Sequence, residues 1–189
     1  MTSSFQSPRG FTLVELLFSL ALTAILAGAA SASWTHLITS NHHSETVNKA
    51  QRAFALARSF AVHQKTLTTI CPLSQTLECV DDWNRKISIF PDADNNRQPD
   101  NGRIHRTFTL SKSRTELYSR TAGRGYFQLS SEGMSHGTLG SLVACSPIDS
   151  AKIKMTYVAL NISGRVRTLQ DDDQDGRIRL PWGTQITCP

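Results

Sequence analysis

The sequence lacks the features that mark most enzymes and nucleotide-binding proteins. No glycine-rich phosphate loop follows a strand pattern, and no nucleophile elbow or triad-like signature is present. The 189 residues contain no internal repeat or low-complexity tract, and only 19% of them are charged. We therefore expect a protein that is not an enzyme and has no catalytic residues and no cofactor.

Basic residues are only slightly in excess. The net charge is +5 and the isoelectric point is about 9.3. This balance permits contact with nucleic acid or an acidic surface without requiring it. An ordinary basic domain accounts for the charge equally well.

Charge is nearly absent from residues 11–34, where Glu15 is the only charged side chain. As a helix this run spans about 36 Å, enough to cross a bilayer with some tilt. Arg9 precedes the run and the next lysine or arginine is Lys49, which places the N-terminus in the cytoplasm. A secretory signal peptide is the alternative, because small residues at 27–33 resemble its cleavage site. Glu15 argues against it, since a carboxylate in a membrane segment is costly and usually functional.

The helical pattern continues beyond this apolar run. An apolar stripe with three-four spacing predicts one helix over 11–64 whose second half is amphipathic and packs on a sheet. The stripe consists of Val47, Ala50, Phe54, Ala57 and Ala61. We expect His42 and His43 to lie on the solvated face, because adjacent helical residues point in different directions.

Short β-type runs separated by turn-rich stretches follow the helix. A long helix followed by an antiparallel sheet predicts an α+β domain. The predicted strands are Thr66–Cys71, Lys86–Phe90, Ile104–Leu110, Gly125–Ser130, Leu139–Cys145, Ile153–Asn161 and Thr184–Cys188.

The chain has four cysteines, an even number that predicts disulfides in an exported protein. They are Cys71, Cys79, Cys145 and Cys188, for which three connectivities are possible. Zinc binding is the alternative. The spacings do not resemble paired C-x-x-C ligands, and no histidine lies close to any pair, so we expect no metal at the cysteines.

Residues 9–17, which read R-G-F-T-L-V-E-L-L, closely resemble the class III signal of type IV prepilins and type II secretion pseudopilins. The resemblance implies that a prepilin peptidase cuts between Gly10 and Phe11 and methylates Phe11. Residues 1–10 are then a leader peptide, 11–34 a retained membrane helix and 35–189 a periplasmic domain. Glu15 would neutralise the N-terminal amine of a neighbouring subunit and so set helix register.

The rest of the chain is similar to the GspH/FimT/FimU group of minor pilins and pseudopilins. The resemblance lies in an A-L-A-R-S-F-A helix end, I-C-P, D-W, I-S-I-F and I-S-G-R-V-R, at residues 55–61, 70–72, 82–83, 87–90 and 162–167. It implies a pilin fold, with the long helix laid on antiparallel β-sheet. In that fold a Cys71–Cys79 bond would close a local loop, and Cys145–Cys188 would hold the C-terminal tail.

Two acidic loops are candidates for calcium. Asp92, Asp94, Asn95 and Asn96 supply alternate oxygens, with Asp100 nearby. Asp171, Asp173, Asp175 and Gly176 match the first half of an EF-hand loop, but Trp182 stands where its bidentate glutamate belongs. Solvated Asx turns explain both loops equally.

Two G-R-x-R sequences lie near the C-terminus, with Arg165 and Arg167 in the first and Arg177 and Arg179 in the second. Arginines two apart on a strand share one face and suit phosphate contacts. FimT-like competence pilins carry DNA binding in a motif of this form. The intervening aspartates nearly cancel the local charge, so internal ion pairing is the alternative.

These observations predict a minor type IV pilin that helps to initiate pilus assembly at or near the tip. Its partners would be other minor pilins, the major pilin, the prepilin peptidase and the inner membrane. Two alternatives remain: a DNA-binding pilin for natural transformation and a minor pseudopilin of type II secretion.

Overall fold

The computed structural model describes residues 10–111, 114–137, 139–149 and 152–189, without the side chains of residues 29–36. It divides into two units, Met1–Ile38 and Thr39–Pro189. Residues 1–9 of the expected leader peptide lie outside the described residues. The expected membrane segment is described, except for its side chains from residue 29 onward.

The helix α1 spans Leu13–Gln64 and begins two residues later than predicted. It ends where Lys65 adopts a positive φ of 50° and the amide of Thr66 donates to the carbonyl of Ala61 at 3.3 Å. This 6→1 bond is that of a Schellman motif, with lysine in the position that glycine usually takes. After this turn the chain continues into the first strand.

Ten strands follow in the described residues and form three antiparallel sheets. The strands are β1 Thr68–Pro72, β2 Lys86–Pro91, β3 Arg106–Thr109, β4 Glu116–Arg120, β5 Phe127–Leu129, β6 Gly140–Pro147, β7 Ile153–Leu160, β8 Val166–Gln170, β9 Arg177–Arg179 and β10 Gln185–Thr187. The first sheet has the order β3-β2-β1-β5, the second β4-β6-β7-β8, and β9 and β10 form a hairpin. The predicted α+β class is confirmed, while β4, β8 and β9 were not predicted.

The main core lies between the α1 stripe and both four-stranded sheets. Phe54 packs edge-on against Phe127, with ring centroids 5.0 Å apart, and Trp83 meets the same ring at 5.3 Å. Burial of the alanines at 50, 53, 57 and 61 lets the helix approach the sheets closely. The stripe predicted from the sequence is buried as expected.

A second core covers the opposite face of the second sheet. Along β6, Leu142 and Ala144 point into the main core, while Val143 and Cys145 point into this second one. The hairpin β9–β10 closes it with Ile178, Leu180 and Ile186. The second sheet is therefore apolar on both faces, with α1 on one side and the hairpin on the other.

Two disulfides constrain the C-terminal tail and one loop of the domain. Cys145 bonds to Cys188 and joins β6 to the tail that follows β10. Cys71 bonds to Cys79 and closes the loop after β1. This is the pairing that the family resemblance implies.

Candidate functional site

The N-terminal segment begins with a helix cap. The amide of Glu15 donates to the Thr12 hydroxyl at 3.3 Å, and the amide of Leu16 donates to the Thr12 carbonyl at 3.2 Å. Thr12 and Glu15 thus occupy the first and last positions of a T-x-x-E capping box. Gly10 and Phe11 precede the helix.

Apolar side chains at the start of α1 are exposed on all sides. Phe11 is 83% exposed, and the large apolar residues from Leu13 to Leu26 share this exposure. Apolar surface of this extent is rare on a soluble monomer and marks a site of contact with a protein or a membrane. Glu15 forms no ion pair with any residue that the structure describes.

Within the part of the chain that the structure describes, no helix combines the length and the hydropathy needed to cross a membrane.

The first G-R-x-R sequence begins in the turn between β7 and β8, which holds Gly164 and Arg165, and ends in β8 with Arg167. Gly164 has a positive φ of 69°, and a Cβ there would stand 1.9 Å from the Gly133 carbonyl oxygen. That same oxygen accepts a hydrogen bond from Arg58 of α1 at 2.9 Å. Close backbone packing therefore requires the glycine of this motif, whether or not the arginines bind a ligand.

The arginines of the two motifs differ in their surroundings. Arg165 and Arg167 are exposed and form no ion pair in the described chain. Arg177 and Arg179 are also exposed, but they border a cleft of about 320 Å³ lined by the aspartates at 171, 172, 173 and 175. The predicted cancellation of charge thus applies to the second pair and not to the first.

A groove of about 880 Å³ lies beside Arg167, the second arginine of the first pair. Arg120, Ser141, Ala159 and Arg167 are paired in register across β4, β6, β7 and β8, so they form one row on one face. The small side chains of Ser141 and Ala159 in the middle of the row leave space between the two arginines. The backbones of these arginines are three strand spacings of ~4.8 Å, or about 14 Å, apart. The exposed apolar side chains of Trp182, Ile162 and Leu139 line the same groove. We did not predict this groove, because it depends on strands that the pattern did not reveal.

The two acidic loops predicted for calcium each bring three carboxylates together. Oxygens of Asp92, Asp94 and Asp100 lie within 4.8 Å of one another, and so do those of Asp171, Asp173 and Asp175. Asn95 and Asn96 make different hydrogen bonds in the first loop. The Asn95 side chain accepts from Gln128 at 2.7 Å, and the Asn96 amide donates to Asp94.

His43 lies in a buried polar network, so the prediction of a solvated position was wrong. Its Nδ1 lies 2.7 Å from the Ser146 hydroxyl and its Nε2 lies 2.8 Å from the Thr156 hydroxyl. The Ser146 hydroxyl in turn contacts Thr115 at 2.7 Å. The sequence did carry a signal, because His43 is four residues before Val47 and continues the buried stripe.

Burial lowers the pKa of His43 from 6.5 to about 4, and the nearby charge of Lys154 adds to the effect. The folded state thus binds this proton less readily than the unfolded chain does between pH 6.5 and 4. Stability from the neutral imidazole is present above pH 6.5 and is lost as the pH falls toward 4. A difference of 6.5 to about 4 corresponds to about 3 kcal/mol.

We predict that His43→Gln flattens this acid dependence. Urea unfolding at pH 7 and at pH 4 should show a loss of about 3 kcal/mol in the wild type beyond that in the variant. His42→Gln is the matched control, since His42 is only partly buried and should leave the wild-type dependence unchanged. An equal acid loss in His43→Gln would contradict the assignment.

Comparison with known families and structures gives a consistent result. The family model described as type II transport protein GspH matches residues 46–164, and that for the prokaryotic N-terminal methylation motif matches residues 6–31. A comparison with curated protein sequences found no match.

Two crystal forms of the type IV minor pilin FimU of Pseudomonas aeruginosa share the fold. The first has a TM-score of 0.54 at 14% identity over 70% of this chain and 95% of the crystallised FimU chain. The second has a TM-score of 0.50 at 14% identity over 68% and 97%. The resemblance to the fold of a minor pilin, predicted from the sequence, is thereby confirmed.

Proposed function

We propose a role in filament assembly for this chain, on the premise that it belongs to the GspH family of minor pilins and pseudopilins. In this proposal it is a minor type IV pilin that helps to initiate pilus assembly and remains at or near the pilus tip. It acts by packing against other subunits and not by catalysis.

The observation that carries the proposal is the exposed apolar start of α1, which lies within the segment that matches the N-terminal methylation motif. These side chains need an apolar environment. The inner membrane supplies it before assembly, and the helices of neighbouring subunits supply it in the filament. The domain from Thr39 onward has its own core and would lie in the periplasm.

The partners are the prepilin peptidase, other minor pilins and the major pilin. The groove beside Arg120 and Arg167 supports contact with a neighbouring subunit, because it joins exposed Trp182 to two arginines. Aromatic and arginine side chains are enriched at protein interfaces.

The test is to express the chain with and without a prepilin peptidase and then to isolate pili. Mass spectrometry should show loss of residues 1–10 and one methyl group on Phe11 only when the peptidase is present. Labelled antibody should place the processed chain at pilus ends. A chain that stays full-length, or one absent from all filaments, would contradict the proposal.

A role in type II secretion is the second candidate, favoured by the description of the matching family as a type II transport protein. Deletion of the gene distinguishes the two. Loss of pili with normal export of secreted proteins supports the pilus role, and loss of export with intact pili supports the secretion role.

DNA capture is the third candidate, favoured by Arg165 and Arg167, which are exposed and form no ion pair with any described residue. If it holds, the full chain in detergent retards duplex DNA in a gel. Replacing both arginines by glutamine should then weaken binding at least tenfold and reduce the salt slope by about 2.

The double variant Arg177→Gln/Arg179→Gln is the matched control, because those arginines border the acidic cleft. It should bind DNA as the wild type does. No binding at physiological salt, or equal binding by both double variants, would remove the DNA candidate.

A further inference from the structure

The loop between β8 and β9 holds three carboxylates that repel one another. Asp173 and Asp175 are exposed, whereas Asp171 is only 7% exposed. An oxygen from each lies within 4.8 Å of the other two. Negative charges this close disfavour one another unless a proton or a cation lies between them.

Asp171 is the residue that indicates a ligand. Its Oδ2 accepts the amide hydrogen of Gly176 at 2.8 Å. Its Oδ1 is buried and has no hydrogen-bond partner among the residues that the structure describes. A buried carboxylate oxygen without a partner costs free energy, and native structures rarely leave one.

We propose that this loop binds one calcium ion through Asp171, Asp173 and Asp175. Calcium takes six to eight oxygen ligands at about 2.4 Å, so oxygens on opposite sides of the ion lie about 4.8 Å apart. The three aspartates and Gly176 follow the D-x-D-x-D-G spacing of a calcium loop, with the glycine at a positive φ of 74°. Because Trp182 replaces the bidentate glutamate, waters complete the shell and affinity falls near the weak end, about 0.1–1 mM.

The first acidic loop does not share this property, although its sequence looks similar. Asp92 accepts the Arg97 amide hydrogen through Oδ1, and the Thr69 hydroxyl and the Gln128 amide through Oδ2. Asp100 accepts the amide hydrogen of Ala93. Donors within the protein satisfy the buried carboxylate there, so that loop needs no cation.

Neighbouring arginines do not replace the ion. Arg177 and Arg179 line the same cleft, yet neither forms an ion pair with its carboxylates in the described chain. They lower the net charge of the cleft, which agrees with weak binding. This inference is independent of the proposed filament role.

The test uses the full chain in detergent, stripped with a chelator, and equilibrium dialysis against radioactive calcium. We expect one ion per chain and a melting temperature several degrees higher in 5 mM calcium than in chelator. Asp173→Asn should weaken binding at least tenfold. Asp94→Asn, in the first loop, is the matched control and should bind as the wild type does.

The chelated state checks that the variant folds. Without calcium, Asp173→Asn should melt no lower than the wild type, because it removes repulsion at an exposed position. With calcium the order should reverse. The proposal is overturned if the wild type takes up no calcium, if Asp94→Asn and Asp173→Asn weaken binding equally, or if magnesium raises the melting temperature as much as calcium does.

Discussion

Replacing Cys145 and Cys188 together by alanine should lower the free energy of unfolding by about 4 kcal/mol. The bond joins residues 43 apart in sequence, and the loop-closure entropy of the unfolded chain grows with that separation. A domain of this size is stable by about 5–15 kcal/mol, so the loss is a large fraction of the total.

We expect the loss of stability to be largest at the β9–β10 hairpin, because of the way the second core holds it. Few apolar side chains hold β9 and β10 against the sheet, among them Ile178 and Ile186, and the bond to Cys188 holds the tail that follows. Urea unfolding followed by the fluorescence of buried Trp83 measures the global change. Hydrogen exchange along β9 and β10 measures the local one.

The matched control is the double variant Cys71→Ala/Cys79→Ala. Its bond spans only 8 positions, for which the same relation gives about 2.5 kcal/mol. Alanine is preferred to serine because Cys71 and Cys145 are buried and a hydroxyl there would lack a partner. A larger loss for the short loop than for the long one would contradict the account.

Glu15→Gln should leave processing intact and yet reduce incorporation into pili by at least about a hundredfold. In the proposed filament the carboxylate neutralises the amine that cleavage creates at Phe11. Removing one partner of a buried ion pair costs about 3–5 kcal/mol, and each 1.4 kcal/mol is a factor of ten. Quantitative immunoblots of cells and sheared pili measure both steps.

Glutamine separates charge from helix capping, because it also suits the last position of a capping box. Thr12→Ala does the reverse, since it removes the cap hydroxyl and keeps the carboxylate. We expect Thr12→Ala to be processed and incorporated almost as the wild type is. If Thr12→Ala fails and Glu15→Gln assembles, Glu15 acts through the helix end and the filament pairing is wrong.

The order of elements could be predicted from the sequence because long periodic patterns carry it. The stripe from Val47 to Ala61 identified the helix and its buried face. Three strands were missed for separate reasons. In β4 only Leu117 is buried, β8 is an edge strand, and β9 has only 3 residues.

The candidate sites were less predictable, since they depend on contacts between distant segments. Both acidic loops alternate oxygen-bearing residues, yet Thr69 and Gln128 satisfy only the first. The buried partners of His43 lie more than a hundred positions away in sequence. Local patterns identified which residues to consider, and tertiary contacts distinguished among them.

The helix cap at Thr12 bears on how fast the proposed leader can be removed. The peptide bond between Gly10 and Phe11 lies before the first helical residue, so no helical hydrogen bond must break for a protease to reach it. Leader removal would then depend on binding to the peptidase and not on melting of α1. Variants that stiffen or loosen the helix beyond Leu16 should therefore mature at the wild-type rate.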